Sequence, residues 1–379
     1  MKTTLKTKPL LAVITALNKV IPIKSISPIL ENIFMEASPG TLRLVATDLE
    51  TTLEVNIPEN DATGCSVEDG GKACLPARFL LEILKQIDTE TVSLETPNEK
   101  SMTVIWDSGR SQLPTIDTED FPAVDLTVAD GVEATLTCEV LAKALAATAY
   151  ACAEDDIRPA MTGVLFDITG DGLALVASDS HRLIVEDIPE ITAGTPTQFI
   201  LFRRHANLVK GLCTEGETVS VRMSATNAVF RFADMTLAVR GCTGRFPKYR
   251  DVIPKNNTNV LTTDRKGLVA ILRRISVCAN RASQHIKVEL VTDATGSRMK
   301  LSAEDLGFGL NAYEEMPVDY DGENMSIGFK ASFLVEMLSN IEGENVRISL
   351  SDSRRAVLIT PAEEQESPAT TAILMPVMV

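Results

Sequence analysis

Aromatic side chains make up only 4% of this 379-residue chain, too few for the stacking platforms that hold unpaired nucleic-acid bases. No apolar run approaches the roughly 20 residues that span a bilayer. The basic, then apolar start MKTTLKTKPLLAV lacks a small-residue cleavage site and is interrupted by Pro9 and Asn18, so no signal peptide is expected. The seven cysteines stand singly with no C-x-x-C, which argues against a zinc site or a disulfide framework and points to a reducing cytoplasm. GGKACLP lacks the spacing of a phosphate-binding loop, so neither a metal nor a cofactor is expected.

What is present is a repeat. Leu42-x-Leu44-x-Ala46-x-Asp48 returns as Leu173-x-Leu175-x-Ala177-x-Asp179 and again as Met299-x-Leu301-x-Ala303-x-Asp305. Strict alternation reads as a half-buried strand, and an acid closes each copy. Upstream, PILENIFMEA from Pro28 matches PAMTGVLFDI from Pro159 without a gap. A helical pattern opens each unit: Leu11, Ile14, Leu17, Ile21; then Leu141, Leu145, Thr148; then Leu268, Ile271, Leu272, Ile275. A second helix follows the strand in each, within PARFLLEILKQI, FRRHANLVKGL and FKASFLVEMLSNI. Phe-Pro marks the linkers EDFPAVD and GRFPKYRDVIP. The expected fold class is therefore α+β: three copies of one unit, two helices packed on antiparallel sheet, at 1–125, 126–254 and 255–379.

The net charge of −16 argues at first against a nucleic-acid partner. The charge is uneven, however. Residues 1–24, 76–87, 203–212 and 265–281 together hold fifteen basic residues and one acid, Glu82. Solvated faces of amphipathic helices account for basic residues there, but not for the scarcity of acids in a chain otherwise rich in them. Helices that are basic on an acidic body suit a lined groove or hole for a polyanion. Lys and Arg on helices meet duplex phosphates without reading bases, which gives sequence-independent, salt-sensitive contact.

LVASDSHRL sets Asp179, Ser180 and His181 side by side, the residue types of a serine hydrolase. The repeat explains Asp179 as the counterpart of Asp48 and Asp305, suited to a side-chain-capped turn. Triad members ordinarily come from separate segments, so catalysis is not expected here.

At PILENI, ATDLE, RPAMTGVLFD, LVASDSHRL, GRFPKYRDVIP and the final ILMPVMV, the chain resembles the bacterial replicative sliding clamps, the beta subunit of DNA polymerase III, over essentially its whole length. The resemblance implies clamp-type domains that join head to tail in a homodimer, a six-domain ring around double-stranded DNA with helices lining the hole. It implies a non-catalytic processivity factor in the cytoplasm, with no membrane partner. Lys24, Arg78, Arg203, Arg204, Lys210, Lys266, Arg273 and Arg274 are then the DNA-side candidates, Lys24 foremost because similar clamps carry a basic residue in that loop. Leu113 would meet Val277 and Cys278 of the partner subunit.

The resemblance also implies a pocket for short linear peptides of DNA polymerase, clamp loader and repair proteins, at Met161, His181, Arg182, Leu183, Pro247, Val252, Phe333, Ala356, Met375, Pro376 and Val377. Met375 and Met378 suit an adaptable peptide surface. Family members often carry a basic residue near the C-terminus where this chain reads Val377-Met378-Val379, and Lys330, Phe333 and Ala356 are not the commonest residues at their positions, so partner preference is open. The alternatives are a hydrolase built on Asp179, Ser180 and His181, and a DNA-binding scaffold that does not close into a ring.

Overall fold

The computed structural model describes residues 1–22, 27–98, 100–155, 157–294, 296–364 and 367–378. Each repeat runs through one order of elements. A strand leads directly into a helix, three antiparallel strands follow, another strand leads directly into a second helix, and three strands close the unit. The first and third repeats add one short strand each, Ser66–Asp69 and Asp319–Asp321. The helices are α1 (Thr7–Asn18), α2 (Ala77–Leu84), α3 (Cys138–Thr148), α4 (Arg203–Lys210), α5 (Arg265–Ser276) and α6 (Ala331–Asn340).

Local chemistry sets these elements. Asp264 caps α5, its carboxylate accepting from the Lys266 and Gly267 amides at 3.1 and 2.8 Å, and Leu268, Ile271, Leu272 and Ile275 form the buried stripe that the spacing predicts. In α1 the buried stripe is Thr7, Leu10, Ile14 and Leu17. Leu11, expected in that stripe, is only half-buried, because the helix starts directly from the strand Lys2–Lys6 and that entry fixes its phase. The alternating strands bury Leu42, Leu44 and Ala46, then Leu173, Leu175 and Ala177, then Met299, Leu301 and Ala303. Their closing acids make the same turn. Asp48 Oδ1 accepts from the Glu50 and Thr51 amides, Asp179 Oδ1 from the His181 and Arg182 amides, and Asp305 Oδ1 from the Gly307 amide.

The chain packs as two compact units, 1–139 with 208–241, and 140–207 with 242–379. In the first, a five-stranded sheet runs Ser66–Asp69, Lys2–Lys6, Thr91–Asn98, Ser101–Trp106, Gly109–Pro114. An eight-stranded sheet there joins two repeats, because Met235–Arg240 lies antiparallel to Thr51–Pro58 with Leu237 opposite Leu53. In the second unit a nine-stranded sheet joins two repeats the same way, Ala369–Leu374 on Arg182–Ile188 with Ala372 opposite Ile184. Its four-stranded sheet runs Leu310–Pro317, Gly296–Asp305, His285–Asp293, Met325–Lys330.

One rule covers both junctions: the last strand of a repeat pairs with the fourth strand of the repeat before it. Among the described residues this leaves the last strand of the first repeat, Gly109–Pro114, and the strand Leu310–Pro317 of the third at the edges of their sheets.

Candidate functional site

In the second unit, sheet strands of two repeats and the segment after Phe246 enclose a cavity of 210 Å³, room for a few side chains rather than a metabolite-sized ligand. Met161, Leu183, Phe246, Tyr249 and Ile373 form its buried apolar floor, and Val252 and Met375 stand exposed at its rim. Tyr249 is held in place by its hydroxyl, which donates to Asp167 Oδ2 at 2.8 Å. Burial, and then that hydrogen bond, keep its phenol protonated well above the ordinary range. On the polar side, Arg158 donates to Ser180 Oγ at 2.6 Å.

Arg182 is 7% exposed and fully engaged. It donates to Asp179 at 3.0 Å, to Glu336 at 2.6 Å and to the Tyr150 carbonyl at 3.0 Å, and its guanidinium lies 4.6 Å from the centre of the Phe333 ring. It therefore presents a fixed wall, not a mobile charge.

Of the residues expected at this pocket, Met161, His181, Arg182, Leu183, Pro247, Val252, Ala356 and Met375 line the cavity. Phe333, Pro376 and Val377 do not. Phe333 lies behind the wall, its ring covered by Arg182 and by Lys330 Nζ at 4.3 Å and flanked by the His181 ring at 6.0 Å. Past Pro376, Val377 turns away because its amide donates to the Gly328 carbonyl at 2.9 Å. Arg158, Ser178, Ser180, Phe246, Lys248, Tyr249 and Ile373 complete the lining and were missed. The Phe-Pro linker was the available signal, since Phe246 and Tyr249 both belong to it.

The Asp179-Ser180-His181 run has no catalytic geometry. Both Asp179 oxygens are taken by the turn amides and by Arg182, and the Ser180 hydroxyl accepts from Arg158. No hydrogen bond joins Ser180 to His181 among the described residues. Nor, among the described residues, does any cluster of three or more His, Cys, Asp or Glu side chains form that could hold a metal, and no helix there is long and apolar enough to cross a membrane.

The basic residues divide. Arg204, Lys210, Lys266 and Arg273 are exposed on their helices. Arg78 is exposed and donates to the Pro22 carbonyl at 2.9 Å. Arg203 pairs with Glu154 at 3.3 Å. Arg274 is committed to the strand Leu310–Pro317 by two bonds to Glu314, at 3.0 and 2.5 Å, which sets it apart from the other candidates. Lys24 lies outside the described residues.

Leu113 is buried on the edge strand of the first repeat, Cys278 is half-buried, and Val277 is 78% exposed at the end of α5. Val277 therefore does not pack inside its own repeat. The third repeat exposes Leu306, Phe308, Leu310 and Tyr313 as well.

Three family models match in order: the DNA polymerase III beta subunit N-terminal domain over residues 1–125, its central domain over 135–248 and its C-terminal domain over 250–378. The chain is 28% identical to the beta sliding clamp of Caulobacter vibrioides over all of both chains, and 28% identical to that of Escherichia coli over 90% of each. A solved structure of a DnaN sliding clamp (DNA polymerase III subunit beta) from Pseudomonas aeruginosa, bound to griselimycin, superposes with a TM-score of 0.92 at 26% identity, covering all of both chains. Three matched domains, the strand order they share and relatives alike from end to end make one case: the chain belongs to the DNA polymerase III beta subunit family, the bacterial beta sliding clamps.

Proposed function

We infer that this chain is a DNA sliding clamp, a non-catalytic processivity factor that encircles duplex DNA as a head-to-tail homodimer and tethers polymerase and other partners, acting in the bacterial cytoplasm. The observation that carries the reading is the pair of unmatched sheet edges. Within the chain the last strand of each later repeat pairs with the fourth strand of the one before. A second copy would supply the same pairing to Gly109–Pro114 and Leu310–Pro317, and pairing both edges closes the assembly. Val277, Leu306 and Phe308, all exposed on the third repeat, give that junction a hydrophobic part.

The three clamp domains are taken as 1–125, 126–254 and 255–379. Arg78, Arg204, Lys210, Lys266 and Arg273 are assigned to the DNA side, with Lys24 and Arg203. Their contacts with phosphate are weak and screened, which a ring tolerates, because enclosure retains the clamp while loose contacts let it slide. The cavity floored by Leu183, Phe246 and Ile373 is assigned to the apolar residues of partner peptides, with the exposed methionine Met375 adapting to their shape. Retention on nicked circular DNA, with release when the circle is cut, tests the reading together with sedimentation of the free protein. A monomer, or equal retention on both DNAs, rejects it.

A further inference from the structure

The three repeats place different chemistry on one sheet face. In the second repeat this face carries Leu165, Asp167, Ala174, Val176 and Ile200, and it is covered by Phe246 and Tyr249, both 5% exposed. The Tyr249 hydroxyl ends on Asp167. Strand pairing fixes the counterparts in the first repeat. Phe34 opposite Val45 stands for Leu165 opposite Val176, Glu36 opposite Arg43 for Asp167 opposite Ala174, and Lys72 for Gln198. The linker aligns too: Phe121-Pro122 answers Phe246-Pro247, and Phe121 stacks on Phe34 at 5.3 Å between ring centres. Two residues further on, the first repeat has Val124 where the second has Tyr249.

A groove of 390 Å³ lies there, lined by Phe34, Arg43, Val45, Lys72, Phe121 and Val124 among others. We propose that this groove binds a tyrosyl side chain presented by a partner peptide, set against Phe34 and Phe121 with its hydroxyl at Glu36. The site is separate from the peptide cavity of the second unit.

The charges favour a phenol over an anion. Arg43 already pairs with Glu54 at 2.6 Å and with Glu36 at 3.3 Å, and Lys72 pairs with Glu36 at 3.2 Å. The lining also carries the acid Glu119, and both of its cations are already paired, so no unpaired positive charge faces the groove. Glu36, beside the lining and in contact with both cations, stands at the position where the second repeat accepts from a phenol. A phosphate or carboxylate would have to displace glutamates that these cations already hold. A neutral aromatic needs only an apolar wall and one acceptor. In the third repeat the same sheet positions are Lys287, Glu289, Lys300 and Ser302, so that face offers no apolar wall and the proposal is confined to the first repeat.

The test uses the full-length protein with N-acetyltyrosinamide as probe, followed through the methyl NMR signals of Val45 and Val124. Saturable shifts at those methyls are expected, with binding several-fold weaker for N-acetylphenylalaninamide, which lacks the hydroxyl. Val124→Tyr supplies the missing ring from the chain itself; it should raise the melting temperature and abolish the Val45 shifts. Absence of saturable shifts, shifts only at Leu183 and Ile373, equal binding of both amides, or unchanged probe binding in Val124→Tyr would each overturn the proposal.

Discussion

Arg182 donates to Glu336 at 2.6 Å, tying the strand that follows the second Asx turn to helix α6 of the third repeat. The guanidinium is buried, whereas Glu336 is 42% exposed, so the two ends of this bond are not equivalent. Removing the arginine strips Asp179, Glu336 and the Tyr150 carbonyl of a donor at once; removing the glutamate leaves Arg182 its other two partners. Arg182→Ala should cost on the order of 3–5 kcal/mol and Glu336→Ala only about 1 kcal/mol, read from urea unfolding. Equal losses would show that the network is not centred on Arg182.

Glu186 faces the interior of the nine-stranded sheet with no exposed surface, opposite Thr370. Burial pushes its carboxyl up to about 8 from an ordinary 4.5, against the opposing pull of the facing Thr370 hydroxyl and of Lys143. Glu342 and Asp187 add to the rise. The folded value lies above the unfolded one. The fold is therefore at no disadvantage below about 4.5, loses stability as pH climbs from there, and has lost the full amount above about 8. That amount is several kcal/mol at most. Glu186→Gln should flatten this slope and melt higher than the parent at alkaline pH, in thermal scans across the range. A parallel decline in both proteins would exclude Glu186 as the source.

The repeat was legible because alternation and the Asx turn are local. Asp48, Asp179 and Asp305 each need only amides two or three residues away. Glu186 was not, because alternation cannot mark an interior face when both faces of a strand are covered: Leu183 and Val185 are buried on one side, Ile184 and Ile188 on the other. Nor was the burden on Phe333, whose ring meets Arg182 from a strand far away in sequence. Eight of the residues that line the cavity of the second unit stood among those the sequence singled out. The Phe-Pro linker stood out as a repeat marker, but that Tyr249 would close the floor depends on Asp167 lying across the fold to receive it.

The basic helix residues separate by what they already hold. Lys210 and Lys266 are exposed, and neither ammonium has an ion-pair partner among the described residues, whereas Arg274 grips Glu314. In binding to a short linear duplex, Lys210→Ala and Lys266→Ala should each lower the slope of log affinity against log salt by about 0.9. Arg274→Ala should leave that slope unchanged and lower thermal stability instead. A slope change in Arg274→Ala as large as in Lys266→Ala would place Arg274 on the DNA after all.

The strand rule that joins the repeats also fixes a register between subunits. Leu237 lies opposite Leu53, and Ala372 opposite Ile184. Counting through the neighbouring pairs, Ser111 is the first repeat's counterpart of Leu237 and Ala372, and Ala312 is the third repeat's counterpart of Leu53 and Ile184. Antiparallel pairing of the two free edges then sets Leu113 opposite Leu310 of the partner subunit, both turned to the helix side of their sheets. Directly opposed residues in such a pair lie about 4.5–5.5 Å apart between Cα atoms, within reach of a disulfide. Leu113→Cys combined with Leu310→Cys should therefore give a covalent dimer on mild oxidation, seen on a non-reducing gel. Either single variant, or Leu113→Cys with Asn311→Cys, whose side chain points to the opposite face, should give little. Efficient bridging by the Asn311 pair and none by the Leu310 pair would mean that the subunits meet in another register, and that the rule within the chain does not extend between copies.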